Sequence, residues 1–166
     1  MSYSRLHTTD LAQQMYTPPD ATRQIVPYIP VSAVVWEMCY GRGDMADELR
    51  NNGVYVVGET DRDCFGEPPE FDVIVSNPPY RNNKDFIARA IELGKPFALL
   101  VRLEHLGGVT ASRLLRDLDI KLLIPEKRIN FITPKMQNGE KAGGSPFHTI
   151  WLTYKLVDSD RQIIYL

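Results

Sequence analysis

Four consecutive residues, Asn77, Pro78, Pro79 and Tyr80, carry the most chemistry per position in the chain. They follow Asp72 and a β-branched run, Val73-Ile74-Val75, which reads as a buried strand. Neither proline has an N–H to give to a sheet ladder, so the strand must stop there. Pro78 also pushes Asn77 toward an extended backbone. The outcome is a stiff turn at the carboxyl end of a strand, holding one amide side chain, one carbonyl and one aromatic ring. Such a set suits a planar group bearing an –NH2. The Asn77 side-chain oxygen and the Pro78 carbonyl can each accept one amino hydrogen, and Tyr80 can stack on the ring plane. The plainer alternative is an ordinary strand-to-loop turn with a surface tyrosine.

Asn77-Pro78-Pro79-Tyr80 resembles the catalytic motif of S-adenosylmethionine-dependent amino-methyltransferases. These include DNA adenine-N6 methyltransferases, some RNA methyltransferases and the glutamine methyltransferases that act on release factors. The resemblance implies Asn77 as the catalytic acceptor, Pro78 and Pro79 as the rigid turn with its backbone acceptor, and Tyr80 as the stacking platform. Asn77 would also border the cofactor, S-adenosylmethionine. Position and resemblance offer Phe131 or Phe147 as an opposing aromatic wall, and each reads equally as core.

Three upstream segments fit the same resemblance. Tyr16-Thr17-Pro18 precedes the first strand and is similar to an adenine-methyltransferase motif that lies against the methionine end of the cofactor; read locally, Thr17 or Asp20 could cap a helix over about 21–28. Next, an apolar run over 31–36 reads as a strand. It ends in Glu37-Met38-Cys39-Tyr40-Gly41-Arg42-Gly43, ahead of a helix over about 45–52. Glycines let backbone approach a ligand, and a helix N-terminus offers free N–H groups. A third glycine at dinucleotide spacing is missing, which fits NAD poorly, and no Gly-Lys-Ser/Thr marks a P-loop. Glu-x-Cys-x-Gly-x-Gly is similar to the first cofactor motif of class I methyltransferases. Glu37 would then face the positive amino end of the cofactor, and Cys39, Gly41 and Gly43 would line the loop beneath it. After a second strand over 53–58, Glu59 or Asp61 could accept both ribose hydroxyls, with Glu59 favoured. Asp63-Cys64-Phe65 resembles the element that contacts the cofactor's adenine. Its spacing is compressed, with almost no helix after the second strand.

Strand and helix alternate along most of the chain, so the elements that position these residues form an α/β, doubly wound and mostly parallel sheet. The expected later elements are a strand over 73–75, a polar loop over 81–85, a helix through about 94 and strands over 97–103 and 120–125. A helix over 110–118 and strands over 149–154 and 162–166 complete the set. The segments 98–106 and 123–131 resemble the second half of small, phage-type adenine methyltransferases. With them the likeness spans about residues 15–155. It implies the Rossmann-like class I methyltransferase fold as a single domain over 1–166, with 1–15 as a flexible arm and no separate target-recognition domain. The 81–84 and 134–146 loops are then the surfaces left for target recognition.

Composition narrows the partners. Residues 1–80 hold 5 Lys/Arg and 12 Asp/Glu, whereas residues 81–166 hold 14 and 9, so the basic charge lies in the second half. A localised phosphate-contacting surface there is compatible with nucleic acid, DNA ahead of RNA, and solvated helix faces are the plainer account. No apolar run reaches the length of a bilayer span, no signal-peptide core is present, and Cys39 and Cys64 suit a reducing compartment. A cytoplasmic protein without membrane contact is expected, with a homodimer or partner subunit left open. His7, His105 and His148 form no metal motif, so no metal is expected.

Overall fold

Alternation along the strands builds two cores, one on each face of a sheet. Val73 and Val75 join one core and Ile74 the other. Ala98 and Leu100 likewise separate from Phe97, Leu99 and Val101. A computed structural model describes residues 15–133 and 145–166. Among them the sheet has seven strands: β1 (Val34–Trp36), β2 (Tyr55–Val57), β3 (Val73–Ser76), β4 (Phe97–Arg102), β5 (Ile120–Ile124), β6 (Thr149–Tyr154) and β7 (Ile163–Tyr165). Their spatial order is β2-β1-β3-β4-β6-β5-β7. Only β6 runs against its neighbours; the other pairings are parallel.

Helices cover both faces, as the apolar runs on both sides of the strands require. On one face α2 (Asp44–Asn51) buries Met45, Ala46 and Leu49 with Val35 and Val56. On the other, α3 (Asn83–Leu93) buries Phe86, Ile87 and Ala90 against Ile74 and Leu99. The short α1 (Pro19–Arg23) packs beside α2, and α4 (Gly108–Leu115) beside α3. Chain direction across the sheet reverses between β1 and β3, because β1 leads out to β2 and β3 leads the opposite way to β4. Open α/β sheets bind ligands in the crevice outside the carboxyl ends at such a point.

Several local expectations are corrected. The helix expected over 21–28 divides into α1 and a 3-10 turn at Val26–Tyr28. Pro27 lacks the N–H that a continuing helix needs. Neither Thr17 nor Asp20 caps α1: its N-cap is Pro18 with no side-chain cap, and Asp20 pairs with Arg23. The stretch 81–84 is not a free loop, since a 3-10 turn at Tyr80–Asn82 runs directly into α3. The helix expected over 110–118 lies earlier, at Gly108–Leu115. Residues 58–72 connect β2 to β3 through turns alone, so the compressed spacing leaves β2 at the edge of the sheet. The arm up to residue 14, and 134–144 of the later loop, lie outside the described residues.

Candidate active site

Asn77 leaves the carboxyl end of β3, and its side chain is held from one side. Its amide nitrogen donates to the Met15 carbonyl at 3.2 Å and to Thr17 Oγ1 at 3.1 Å. A carbonyl can only accept, so these contacts fix which end of the amide is nitrogen. The other end, Oδ1, is buried with no hydrogen-bond partner. Buried oxygens are nearly always satisfied, so this one stands out as a free acceptor at a strand end. No donor among the described residues takes the neighbouring Pro78 carbonyl either. The Tyr16–Thr17 segment that fixes Asn77 is itself pinned: Tyr16 exchanges two backbone hydrogen bonds with Ile132, at 2.9 and 3.0 Å. Thr17 is 5% exposed, so its hydroxyl serves the site and not a helix cap.

Glu37 lies on the other side of the crevice, just past β1. It is 2% exposed, and Oε1 accepts from the Ser76 hydroxyl and from the Cys39 N–H at 3.1 Å. Burial pushes its carboxyl up to about 7, with the Ser76 and Cys39 hydrogen bonds opposing the rise. No lysine, arginine or histidine among the described residues forms an ion pair with it. A desolvated carboxylate without a counter-ion favours a cationic ligand. From Glu37 the loop turns through Gly41 and Gly43, both left-handed at φ +53° and +89°, into α2. The Arg42 guanidinium lies 3.4 Å over the Tyr16 ring and pairs with Asp44 at 2.7 Å, joining this loop to the segment that holds Asn77. Two hydrogen-bonded groups thus sit at the ends of β1 and β3: Glu37 with Cys39 and Ser76, and Asn77 with Thr17. Pro18, Gly41 and Gly43 neighbour them along the chain, and Tyr16 is reached through Arg42.

The acidic candidates follow β2, whose end lies against the start of the Glu37 loop: the Glu37 N–H donates to the Val57 carbonyl at 3.0 Å. Glu59, Asp61 and Asp63 are all exposed on the turns after β2. Glu59 makes a loose 3.7 Å pair with Arg62, and Asp63 Oδ1 accepts from the Phe65 N–H at 3.0 Å, which closes a local turn. Phe65 packs on Phe86 with ring centroids 5.1 Å apart. The two free cysteines, distant in sequence, meet. Burial pushes the Cys39 thiol up, and a hydrogen bond to Cys39 holds the Cys64 thiol down.

Tyr80 is half-buried beside Asn77. Phe131 and Phe147 meet it edge-on at 5.9 and 5.3 Å, each with planes 79° apart, and both are buried. These separations leave no room for a base between the rings, so the two phenylalanines brace Tyr80 as part of the core instead of facing it across a gap. Burial pushes the Tyr80 phenol up, keeping it neutral. Among the described residues no group of three or more potential ligands could hold a metal ion. No helix there is long and apolar enough to cross a membrane.

No protein-family model matches the sequence, and neither does any curated protein. Solved structures do. A Listeria monocytogenes protein assigned to the class I S-adenosylmethionine-dependent methyltransferases aligns with a TM-score of 0.57 at 12% identity, over 96% of this chain and 67% of that one. The fold is that of the class I S-adenosylmethionine-dependent methyltransferases. A dimethyladenosine transferase from Plasmodium falciparum gives 0.52 at 17% identity, over 85% of this chain and 62% of that one. The modification subunit of a protein assigned as a type I restriction enzyme, from Vibrio vulnificus, gives 0.54 at 12% identity, over 97% and 51%. The chain thus spans between about half and two thirds of the length of these three structures. Within the methyltransferase fold, Glu37 and Asn77 mark the ends of β1 and β3, on either side of the sheet's reversal point.

Sequence reasoning did not find Ser76, Met15, Arg42 or Tyr40. Ser76 had a signal: a hydroxyl at the last position of an apolar strand, next to the motif. Tyr40 had one too, since its ring fills the space that Cβ atoms at Gly43 and Gly58 would enter. Met15 acts through its carbonyl, which no side-chain pattern reveals.

Proposed function

We propose that this chain is an S-adenosylmethionine-dependent methyltransferase acting on the exocyclic N6 amino group of adenine in DNA. The observation that carries the reading is the buried, unpartnered Asn77 Oδ1, aimed by a clamp on its own amide nitrogen. Glu37 supports the cofactor: a desolvated carboxylate with no internal cation suits the amino-acid ammonium of S-adenosylmethionine. Glu59, directly after β2 and exposed, is the candidate for the ribose hydroxyls, with Asp61 next and the Asp63–Phe65 turn toward the adenine. The chemistry supplied by bound S-adenosylmethionine is a methyl carbon already made electrophilic by a sulfonium.

What the protein then adds is position and acceptance. An adenine amino group is a poor nucleophile because its lone pair is delocalised into the ring. Asn77 Oδ1 and the Pro78 carbonyl accept its two hydrogens, which favours a more tetrahedral nitrogen with the lone pair free to attack. Pro79 keeps the turn rigid, and Tyr80 offers its ring to the base. An adenine in duplex DNA must first leave the stack to reach such a site.

Transfer of tritiated methyl to unmethylated duplex DNA, single-stranded DNA, RNA and a protein extract tests this, followed by nucleoside mass spectrometry. N6-methyladenine in DNA is expected, and it should fall by about 10²–10³-fold in Asn77→Ala, the range for losing one aimed polar group at a reacting centre. Cofactor affinity in that variant should be nearly unchanged. Label in RNA or on glutamine would move the substrate. Undiminished transfer by Asn77→Ala would refute the catalytic role.

A further inference from the structure

We infer that Arg102 receives a backbone phosphate of the nucleotide whose base lies at Tyr80. This rests on the reading of the substrate as nucleic acid. Arg102 is the last residue of β4, the strand beside β3. By strand alternation it follows Ala98 and Leu100, which share their core with Val73 and Val75, so Arg102 and Asn77 belong to one face of the sheet. Its guanidinium lies 3.6 Å over Phe147 and 4.8 Å from the centre of the Tyr80 ring. It is anchored on Phe147 and also lies over the Tyr80 ring. A base brought to Asn77 and Tyr80 has its sugar and phosphate within reach of that guanidinium.

The guanidinium is unsatisfied there. Arg23, Arg42, Arg50, Arg62 and Arg89 are each tied by side-chain hydrogen bonds. Arg102 makes none among the described residues, and its Nε is buried without an acceptor. Its one carboxylate neighbour, Glu104, stays 3.7 Å away with a side chain 56% exposed, a pair that a stronger acceptor displaces readily. A planar fork of N–H donors backed by an aromatic ring matches a phosphate in geometry and charge.

Lys84 adds a second positive charge near Arg102. His105 follows β4 closely, and its Nδ1 lies 2.6 Å from the Asn83 side-chain amide. Burial and then the nearby charges of Arg102 and Lys84 hold the ring neutral, with Glu104 opposing. Arg102, Lys84 and His105 therefore make a donor-bearing rim from the end of β4 and the start of α3. A peptide glutamine would bring no anion to this rim, whereas every nucleotide brings one at a fixed distance from its base.

Fluorescence anisotropy with a labelled single-stranded adenine-containing oligodeoxynucleotide tests the inference, beside the same oligonucleotide with neutral methylphosphonate linkages. Arg102→Gln should weaken binding of the phosphodiester strand about tenfold at low salt. It should also flatten the slope of log K against log salt by about 0.7, the share of one phosphate on a single strand. The methylphosphonate strand should lose little on substitution, and Arg102→Lys should restore most of the slope. Unchanged S-adenosylmethionine binding by calorimetry certifies that the variants are folded, and comparing the two strands on the unaltered protein needs no variant. Equal losses on both strands would reduce Arg102 to a packing partner of Phe147 and overturn the inference, as would an unchanged slope. Binding of cofactor but of neither strand by the unaltered protein would overturn it together with the nucleic-acid reading. The Arg102 effect without methyl transfer would leave the phosphate site standing and sink the catalytic assignment.

Discussion

Raising the pH should destabilise the ligand-free protein through one residue, Glu37. In the unfolded chain its carboxyl ionises near the ordinary 4.5, whereas in the folded protein burial holds the proton on until about pH 7. Between those values the folded state binds more protons than the unfolded one. Stability from this group is therefore full below pH 4.5, declines as pH rises toward 7, and stays lost above it. A gap of about 2.5 pH units at about 1.4 kcal/mol each amounts to about 3.5 kcal/mol, a large part of a small domain's total. Glu37→Gln removes the titration but keeps an oxygen for the Ser76 hydroxyl and the Cys39 N–H. Urea unfolding of both proteins at pH 5, 6, 7 and 8 is the assay, and the difference between them cancels every other titrating group. The glutamine variant should gain on the parent up to about pH 7, level off above it, and lead by up to about 3.5 kcal/mol at pH 8. A constant difference, or a parent that gains on the variant as pH rises, would refute the reasoning. The same logic predicts that S-adenosylmethionine binding near pH 6 releases a proton, read by calorimetry in buffers of different ionisation enthalpy. Glu37→Gln should bind the cofactor more weakly although it is the more stable protein, as expected where a site is kept strained for function.

Other outcomes follow from the geometry. Thr17→Val removes one of two acceptors from the Asn77 amide. It should cost about 1 kcal/mol in urea unfolding and lower methyl transfer more than cofactor affinity. Gly58→Ala would set a Cβ 2.6 Å from the Tyr40 ring and 2.8 Å from the Glu37 carbonyl oxygen, and should cost about 3 kcal/mol. Gly53→Ala has nothing within 4 Å and only its φ of +80° to contend with, so about 1 kcal/mol is expected, by the same unfolding measurement. Leu99→Ala, at a fully buried position in β4, should cost about 2–5 kcal/mol with the fold retained by circular dichroism.

Strands were the most legible elements. The run at 149–154 coincides with β6, and the run at 97–103 differs from β4 by one residue, because apolar stretches on a buried sheet announce themselves locally. Helix starts were less legible. Thr17 looked like a cap, and its hydroxyl is engaged instead by Asn77, a partner that only tertiary structure supplies. The tetrapeptide at 77–80 stood out because prolines act on their own neighbours. The clamp on Asn77, the unsatisfied guanidinium of Arg102 and the meeting of Cys39 with Cys64 are long-range contacts, and no local pattern encodes them. The antiparallel β6 also escaped the alternation of strand and helix, which argues for parallel strands alone.

The bridge between Tyr16 and Ile132 has a consequence for the order of folding. Loop-closure entropy makes contacts between distant parts of a chain late ones. Adjacent units such as β3, α3 and β4 can associate first and bury much of the apolar surface. The Tyr16–Ile132 ladder closes most of the chain into one loop, and through Met15 and Thr17 it orients the Asn77 amide. A partly folded chain can therefore own its central strands and α3 while Asn77 still turns freely. Competence at the acceptor arrives as one of the last events, so in refolding experiments recovery of ligand binding and turnover should lag behind recovery of the sheet.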